Sequence, residues 1–503
     1  MTNNTLALHI LSALLIGISY CHPYLGFFIF IALIPLIYSK CFQNYKQQKI
    51  TLILLQNFLF SLILNFVALS WALNGDTITG LFLISANIII VFIPLFIFDL
   101  SVKFLNLNRL WTFYFCWLSY EIISLNWQFN FPWLILGNLL SKYPYLMQWY
   151  EYTGAIGGSA WILICNTIIL KLILSKKASF VTILSLSIPF LISLNLWNSN
   201  FKSEELTPRN VLLIQPNIEP RYEKKNISKI LQFIKVIKLI ESNKDSINYL
   251  VLPETFLSEC VPINEINSLL FFSQINNLAP HNSEDFLIFL GANLSQMDSF
   301  KNNEYFNSII AHNGIEVKTI YNKNKFIPFV ERVPYKNIWN YEALNKVELF
   351  FECAKYSDRK IDLCHKSING DKIASFVCYE GLFGEYIAGI MQNTQSQLIV
   401  VSSNEGWWNQ SYFNDQFLNF LKLRSIENRK WLVKCSNTGI SAVINPRGEV
   451  IRSIEFGKSD ILKQTIYLND KKTFYMIWGD LFCYITLIIL FVLIVTEKFY
   501  HSF

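Results

Sequence analysis

The sequence predicts a multi-span α-helical membrane domain joined to an α/β domain of layered sheets, and three observations carry that expectation. Hydrophobic residues make up 52% of the 503 residues, charged residues only 16%, and the mean hydropathy is +0.33, too apolar for an ordinary water-soluble chain. The apolar residues concentrate in residues 1–200 and in one stretch near the C-terminus. Between them, short β-rich runs alternate with segments of helical spacing, the pattern of an α/β layered fold. At this length two or three domains are expected: a seven-helix transmembrane domain over 1–200, a mixed domain over 205–470, and a C-terminal transmembrane helix over 475–496.

Taken in order, the long apolar runs are Leu6–Tyr20, Leu25–Ser39, Thr51–Leu73, Leu81–Leu100, Leu110–Ile123, Ala160–Leu174, Phe180–Trp197 and Tyr475–Val495. Each approaches the ~20 apolar residues that a helix needs to cross the hydrocarbon, and only helices leave no backbone group unsatisfied there. Cations mark alternate loops: Lys40, Lys46 and Lys49 after the second run, Lys103 and Arg109 after the fourth, Lys176 and Lys177 after the sixth, Lys498 after the eighth. The opposite loops hold Lys142 alone. Because Lys and Arg in short loops stay cytoplasmic, the N-terminus is expected inside and residues 201–474 on the outer face. A cleaved signal peptide would invert the alternation, and Met1–Thr5 lack the cations such a segment carries. Glu121 lies in an apolar run, where an ionisable group is costly and is by default a functional candidate. The alternative, that it sits near the interface close to Asn126 and hydrogen-bonds a neighbour, stays open.

The net charge of +6 forms no dense basic tract with interleaved aromatics, which argues against nucleic acid as a partner. Ten cysteines show no Cys-x-x-Cys pair and no accompanying His cluster, so no metal site is expected. Cys353 and Cys364 bracket a polar loop; they are either a disulfide formed outside the cytoplasm or two free thiols.

Strand-like runs start at Val211, Tyr249, Phe286, Ala374, Gln397, Trp431 and Ile440, and helical spacing covers Ile227–Ile240, Ile263–Phe272 and Phe413–Glu427. Glu254, Lys323 and Cys378 stand at strand ends, where loops commonly carry chemistry. A thiol, a carboxylate and an ammonium are the groups that covalent acyl transfer uses: nucleophile, base and oxyanion partner. Each residue alone is ordinary, since a cysteine ending a buried strand is usually inert core.

Their order and surroundings resemble the nitrilase superfamily and, within it, the bacterial apolipoprotein N-acyltransferases. The matching pieces are Gln215-Pro216-Asn217, Pro253-Glu254, Tyr305-Phe306-Asn307-Ser308, Tyr321-Asn322-Lys323 with Pro328-Phe329 and Glu331, and Cys378-Tyr379-Glu380. Ser403-Asn404 with Trp407, Arg424 with Glu427, and Asn437-Thr438-Gly439 follow, and Phe131-Pro132-Trp133, Gly137, Gln148, Gly154 and Gly157 match ahead of the sixth run. The chain departs from that family at Leu252, Val330 and Glu405-Gly406, and Tyr222 is the nearest aromatic to a usual tryptophan.

The resemblance implies an α-β-β-α sandwich, Glu254 as general base, Cys378 as nucleophile and Lys323 as the oxyanion's cation; counting back from Glu331 selects Lys323 over Lys325. It further implies that Glu331 orients the three, that Tyr379 and Glu380 support the nucleophile, and that no cofactor is used. The implied reaction moves a fatty acyl chain from a membrane phospholipid, through a thioester, to the α-amine of a diacylglyceryl-modified lipoprotein. It places the protein in the inner membrane with its site on the periplasmic side. Trp407, Phe350 and Phe351 are candidate lipid contacts, with Trp339, Tyr341, Leu344 and Leu349 in the same segment. Phe256-Leu257 and Leu269–Phe272 either join that apolar arm or are ordinary core. Two rivals remain: a membrane-tethered amidase or nitrilase, and a polytopic lipid-binding protein that has lost catalysis.

Overall fold

The computed structural model describes residues 2–42, 48–176, 180–198, 207–220, 228–243, 245–278, 286–297, 303–335, 356–357, 364–367 and 370–500. The chain divides into two compact units: Met1–Asn198 with Trp478–Phe503, and Ser199–Ile477.

The first unit is helical: α1 (Thr2–Cys21), α2 (Ile50–Ala68), α3 (Thr77–Leu105), α4 (Arg109–Asn126), α5 (Tyr150–Ser175), α6 (Phe180–Asn198), and a last helix at Leu481–Tyr500. Among the described residues five helical segments are long and apolar enough to cross a membrane, namely Tyr24–Phe42, Ile50–Ala68, Thr77–Leu105, Tyr150–Ser175 and Leu481–Phe499. Thr5–Cys21 and Leu186–Asn198 are apolar but shorter. The last apolar run begins later than expected, because Gly479 at φ 56° separates Phe474–Trp478 from the helix that follows.

The second apolar run is not one helix. It breaks into a 3-10 turn (Pro23–Phe28), two single α-turns (Ile29–Ala32, Ile34–Ile37) and a π-turn (Tyr38–Phe42). Pro35 has no N–H to continue the ladder, and one turn earlier the broken Leu33-to-Ile29 step is bridged from outside. The Asn166 side chain on α5 accepts the Leu33 N–H at 3.0 Å and donates to the Ile29 carbonyl at 2.8 Å, pairing two backbone groups that lipid could not.

Several buried polar residues of this unit also pair with one another. Lys40 reaches Asp99 at 2.8 Å and Asn57 at 2.8 Å, all buried. Glu121 is fully buried in the protein and accepts from Trp117 Nε1 at 3.0 Å and from the Leu136 N–H at 3.1 Å. It therefore pins the 3-10 turn Leu136–Leu140 to α4, while Asn126 donates elsewhere, to the Ile122 carbonyl at 3.1 Å. Gly137 in that turn donates to Ser159 Oγ at 2.9 Å, and its carbonyl accepts Tyr150 OH at 2.9 Å. A Cβ at Gly137 would fall 1.8 Å from the Ala155 carbonyl oxygen. Gly137→Ala is expected to cost about 1–3 kcal/mol through overpacking, read as a lower melting temperature of the detergent-solubilised chain; an unchanged melt would refute this close approach.

The second unit is an α-β-β-α sandwich. Its strands are β1 (Thr207–Gln215), β2 (Tyr249–Val251), β3 (Leu257–Pro262), β4 (Leu287–Met297), β5 (Asn303–His312), β6 (Val317–Asn322), β7 (His365–Lys366), β8 (Lys372–Val377), β9 (Leu398–Ser403), β10 (Trp431–Ser436), β11 (Ser441–Ile444), β12 (Val450–Ile454) and β13 (Asp460–Leu468). One sheet runs β13-β1-β2-β4-β5-β6 with β3 also on β4; the other runs β12-β11-β10-β9-β8-β7. Cys435 Sγ approaches the Ile214 and Val251 carbonyls at 3.2 Å, and Ser402 Oγ donates to the Leu252 carbonyl at 3.1 Å, so the sheets meet face to face. Helices α7 (Lys229–Glu241) and α8 (Leu270–Leu278) cover the first sheet, and α9 (Gly384–Thr394) and α10 (Tyr412–Asn428) cover the second.

Leu250, Ile288, Phe256, Phe271, Phe272 and Ile275 form one core beneath α7 and α8, each worth about 1.5–3 kcal/mol on burial. Phe256, Leu257, Phe271 and Phe272 are thus core, and of the suggested Leu269–Phe272 arm only Leu270 is exposed.

The candidate active site

Strands β1, β2 and β4 run parallel, as do β8, β9 and β10. Glu254 and Cys378 follow the carboxyl ends of β2 and β8, and Lys323 follows β6.

Glu254 needs room for its backbone. A Cβ at Gly291 on β4 would lie 2.3 Å from the Pro253 carbonyl oxygen and 2.6 Å from Glu254 Cα, so only glycine permits that approach. The Glu254 Oε1 atom accepts from Asn307 Nδ2 at 2.9 Å and lies 3.5 Å from Lys323 Nζ. Lys323 is 1% exposed and bonds to Glu331 Oε1 at 2.6 Å; the other Glu331 oxygen accepts the Ile327 N–H at 2.9 Å. Burial alone would push the Lys323 ammonium down, but Glu331 and Glu254 outweigh it and hold the charge firmly on. Lys325 turns away, its Nζ over the rings of Phe383 and Tyr386 at 5.0 and 5.7 Å, and burial lowers its pKa. Of the two lysines, Lys323 is the one among the carboxylates.

Cys378 begins the 3-10 turn Cys378–Leu382 with φ 46°, a left-handed conformation that costs a non-glycine residue about 1–2 kcal/mol. Glu380, fully buried, holds it there. Its carboxylate accepts from the Val377 N–H at 2.8 Å, Tyr321 OH at 2.8 Å, the Asn324 N–H at 2.7 Å and the Lys325 N–H at 3.1 Å. One side chain thereby ties the turn carrying the thiol to the loop carrying the ammonium. Arg424 braces the turn's far end, donating to the Leu382 carbonyl and to Glu427, both at 2.9 Å.

Burial pushes the Cys378 thiol well above its ordinary range, and the carboxylates of Glu254, Glu331 and Glu405 add to this against Lys323. The resting sulfur is therefore protonated at neutral pH. Carbamidomethylation of Cys378 by iodoacetamide, read on its peptide by mass spectrometry, is expected to keep accelerating as pH rises past the usual thiol value near ~8.5. A plateau at or below that pH would mean a pre-formed thiolate and contradict this electrostatic balance.

Tyr379 is buried, its ring 5.3 Å from Phe383. Trp407 is 45% exposed on the 3-10 turn Glu405–Trp408 that follows β9. Phe350 and Phe351, with Trp339, Tyr341, Leu344, Leu349 and Cys353, lie outside the described residues, as does Tyr222.

Three residues that the sequence left without a role also belong to this region. Asn307 orients Glu254, and its only signal was its place in the matched Tyr-Phe-Asn-Ser piece. Glu405 and Lys434 form a fully buried ion pair, and Glu405 further accepts from Ser403 at 2.9 Å and Ser436 at 3.0 Å. A lysine inside the buried run Trp431–Ser436 was the available sign of a buried partner.

A carbon-nitrogen hydrolase profile matches residues 211–474, and an apolipoprotein N-acyltransferase N-terminal domain profile matches residues 12–168. The apolipoprotein N-acyltransferase of Chlorobaculum tepidum is 23% identical over 499 residues, covering 94% of this chain and 93% of that protein. That of Photobacterium profundum is 25% identical, covering 84% and 82%, and that of Wigglesworthia glossinidia brevipalpis 27% identical, covering 73% and 70%. Among solved structures, Saccharomyces cerevisiae Nit3 of the nitrilase superfamily is 16% identical, with a TM-score of 0.38, covering 52% of this chain and 91% of that one. The sandwich is that of a carbon-nitrogen hydrolase, and the chain belongs to that family. Within it, the amino-terminal match and the relatives place the chain among the apolipoprotein N-acyltransferases of the nitrilase superfamily.

Proposed function

We propose that this membrane enzyme N-acylates lipoproteins by moving a fatty acyl chain from a phospholipid to the α-amine of an N-terminal S-diacylglyceryl-cysteine, with a thioester on Cys378 between the two. The observation that carries the residue assignment is the Lys323 ammonium held by Glu331 at 2.6 Å and beside Glu254 at 3.5 Å, with the Cys378 thiol in the field of all three.

Glu254 takes the thiol proton as sulfur attacks the ester carbonyl, and the tetrahedral oxyanion is met by Lys323 Nζ and the Tyr379 N–H. Collapse breaks the ester C–O bond; the leaving alkoxide takes the proton back from Glu254 and departs as lysophospholipid. The acceptor amine then attacks the thioester, losing a proton to Glu254, and the expelled thiolate is reprotonated to regenerate the thiol. Two substrates that use one site in turn give ping-pong kinetics. Both substrates carry acyl chains, and exposing one to water would cost ~0.8 kcal/mol per methylene, which supports a site at the bilayer surface. The alternation of Lys and Arg between loops supports a periplasmic site and an inner-membrane location.

The test uses the full chain in nanodiscs containing acyl-labelled phospholipid. A hydroxylamine-labile label on the Cys378 peptide, chased onto a diacylglyceryl lipopeptide that gains the mass of one acyl group, is expected. Free fatty acid released with no acylated lipopeptide would replace this reading with hydrolysis.

A further inference from the structure

Helix α7 (KILQFIKVIKLIE) carries aliphatic side chains on its outward stripe as well as on its buried face. Val236 and Ile240 are buried, and Phe233 stacks on Phe271 at 4.7 Å and meets Phe256 at 5.7 Å. The opposite stripe holds Ile230, Leu231 and Ile234, exposed by 69%, 57% and 39%, followed by exposed Lys238. On the neighbouring α8, Leu270 is 76% exposed. A helix on a water-facing surface carries mostly polar residues on its outer stripe, whereas three large aliphatic side chains stand there on α7 beside Lys238 and Glu241.

Charge indicates which neighbour. Residues 221–241, through the end of α7, contain Arg221, Lys224, Lys225, Lys229, Lys235 and Lys238 against Glu223 and Glu241. An aliphatic stripe within a cationic segment is the composition of a helix lying in a lipid headgroup layer, and the cations suit anionic phosphates.

Lys235 on α7 donates to the Asn217 carbonyl at 3.1 Å, just beyond the carboxyl end of β1. After α7 the chain returns along β2, parallel to β1, so α7 runs antiparallel to them, from the Glu254 end of the sandwich back toward the opposite end. At that opposite end the polypeptide enters at Thr207 and leaves at Leu468, which pair in the β1–β13 ladder. The face bearing α7 thus spans the length of the sandwich, from the end where Thr207 and Leu468 pair to the end that carries Glu254.

We propose that α7 is an interfacial helix: its Ile230–Leu231–Ile234 stripe lies in the headgroup–acyl boundary of the bilayer and presents the catalytic sandwich to phospholipid. This rests on the membrane-borne reading of the chain and not on the chemistry assigned to Cys378.

The full-length chain, with a benzophenone amino acid at position 230, 231 or 234 in turn, is placed in nanodiscs of phosphatidylethanolamine and phosphatidylglycerol and irradiated. The control position is Asn393, exposed on α9 over the other sheet. Lipid adducts at the α7 positions are expected to exceed those at 393 about tenfold or more, the factor that partition of one aliphatic side chain implies. Equal yields at all positions, or adducts to a second copy or to added lipopeptide in place of lipid, would overturn the proposal. The three positions are read independently, so misfolding at one leaves the others decisive. Lipid adducts on α7 with no label on Cys378 would leave this inference standing and remove the thioester reading.

Discussion

Replacing Cys378 by Ala is expected to abolish the hydroxylamine-labile acyl adduct and to lower lipopeptide acylation by about 10⁴–10⁶-fold, the loss seen when a covalent nucleophile is removed. The thiol on β10 cannot substitute. Cys435 is buried and directed at the Ile214 and Val251 carbonyls, and burial drives its pKa up as well. The fold should survive, because the turn is held by Glu380 through the Val377, Asn324 and Lys325 N–H groups, none of which uses the sulfur. The φ of 46° at this position adds a second, structural readout. Glycine adopts the left-handed conformation without the ~1–2 kcal/mol that Cys or Ala must meet, so Cys378→Gly should melt above Cys378→Ala while being equally inactive. Acylation by either variant at more than a few per cent of the native rate would mean that the acyl chain never rests on sulfur.

How much of this was legible in the sequence differs between the two halves for physical reasons. The apolar runs could be read directly, because lipid demands long uninterrupted helices and the pattern is local. The fracture of the second run could not be foreseen, since the Asn166 amide that meets its freed backbone groups comes from a residue more than a hundred positions away. In the sandwich, strand ends gave the positions of Glu254, Lys323 and Cys378, and the resemblance gave their roles. Glu121 shows the limit of reasoning from cost alone: a buried carboxylate is expensive, yet here it bonds Trp117 and a turn N–H. The Leu269–Phe272 stretch failed as a lipid arm because periodicity identifies a helix's apolar face but not what covers it. The same ambiguity holds for α7, which the apolar spacing of Ile227–Ile240 marks as a helix without saying what meets Ile230, Leu231 and Ile234.

Lys323→Met separates electrostatic catalysis from electrostatic stability. The ammonium sits between Glu331 at 2.6 Å and Glu254 at 3.5 Å with 1% exposure, so its removal leaves two carboxylates facing each other in a desolvated site. Breaking such a cluster by deleting one partner costs about 3–5 kcal/mol, and losing one oxyanion donor costs about 10²–10³-fold in turnover. The single variant should therefore melt markedly lower and acylate poorly, and neither result alone says which role matters. Adding Glu331→Gln removes the excess negative charge while keeping a group able to accept the Ile327 N–H. The double variant Lys323→Met/Glu331→Gln is expected to regain most of the lost melting temperature and none of the lost turnover. Were turnover to return with stability, the lysine would be a structural counter-ion, and the developing oxyanion would have to be met by other donors at the Cys378 turn.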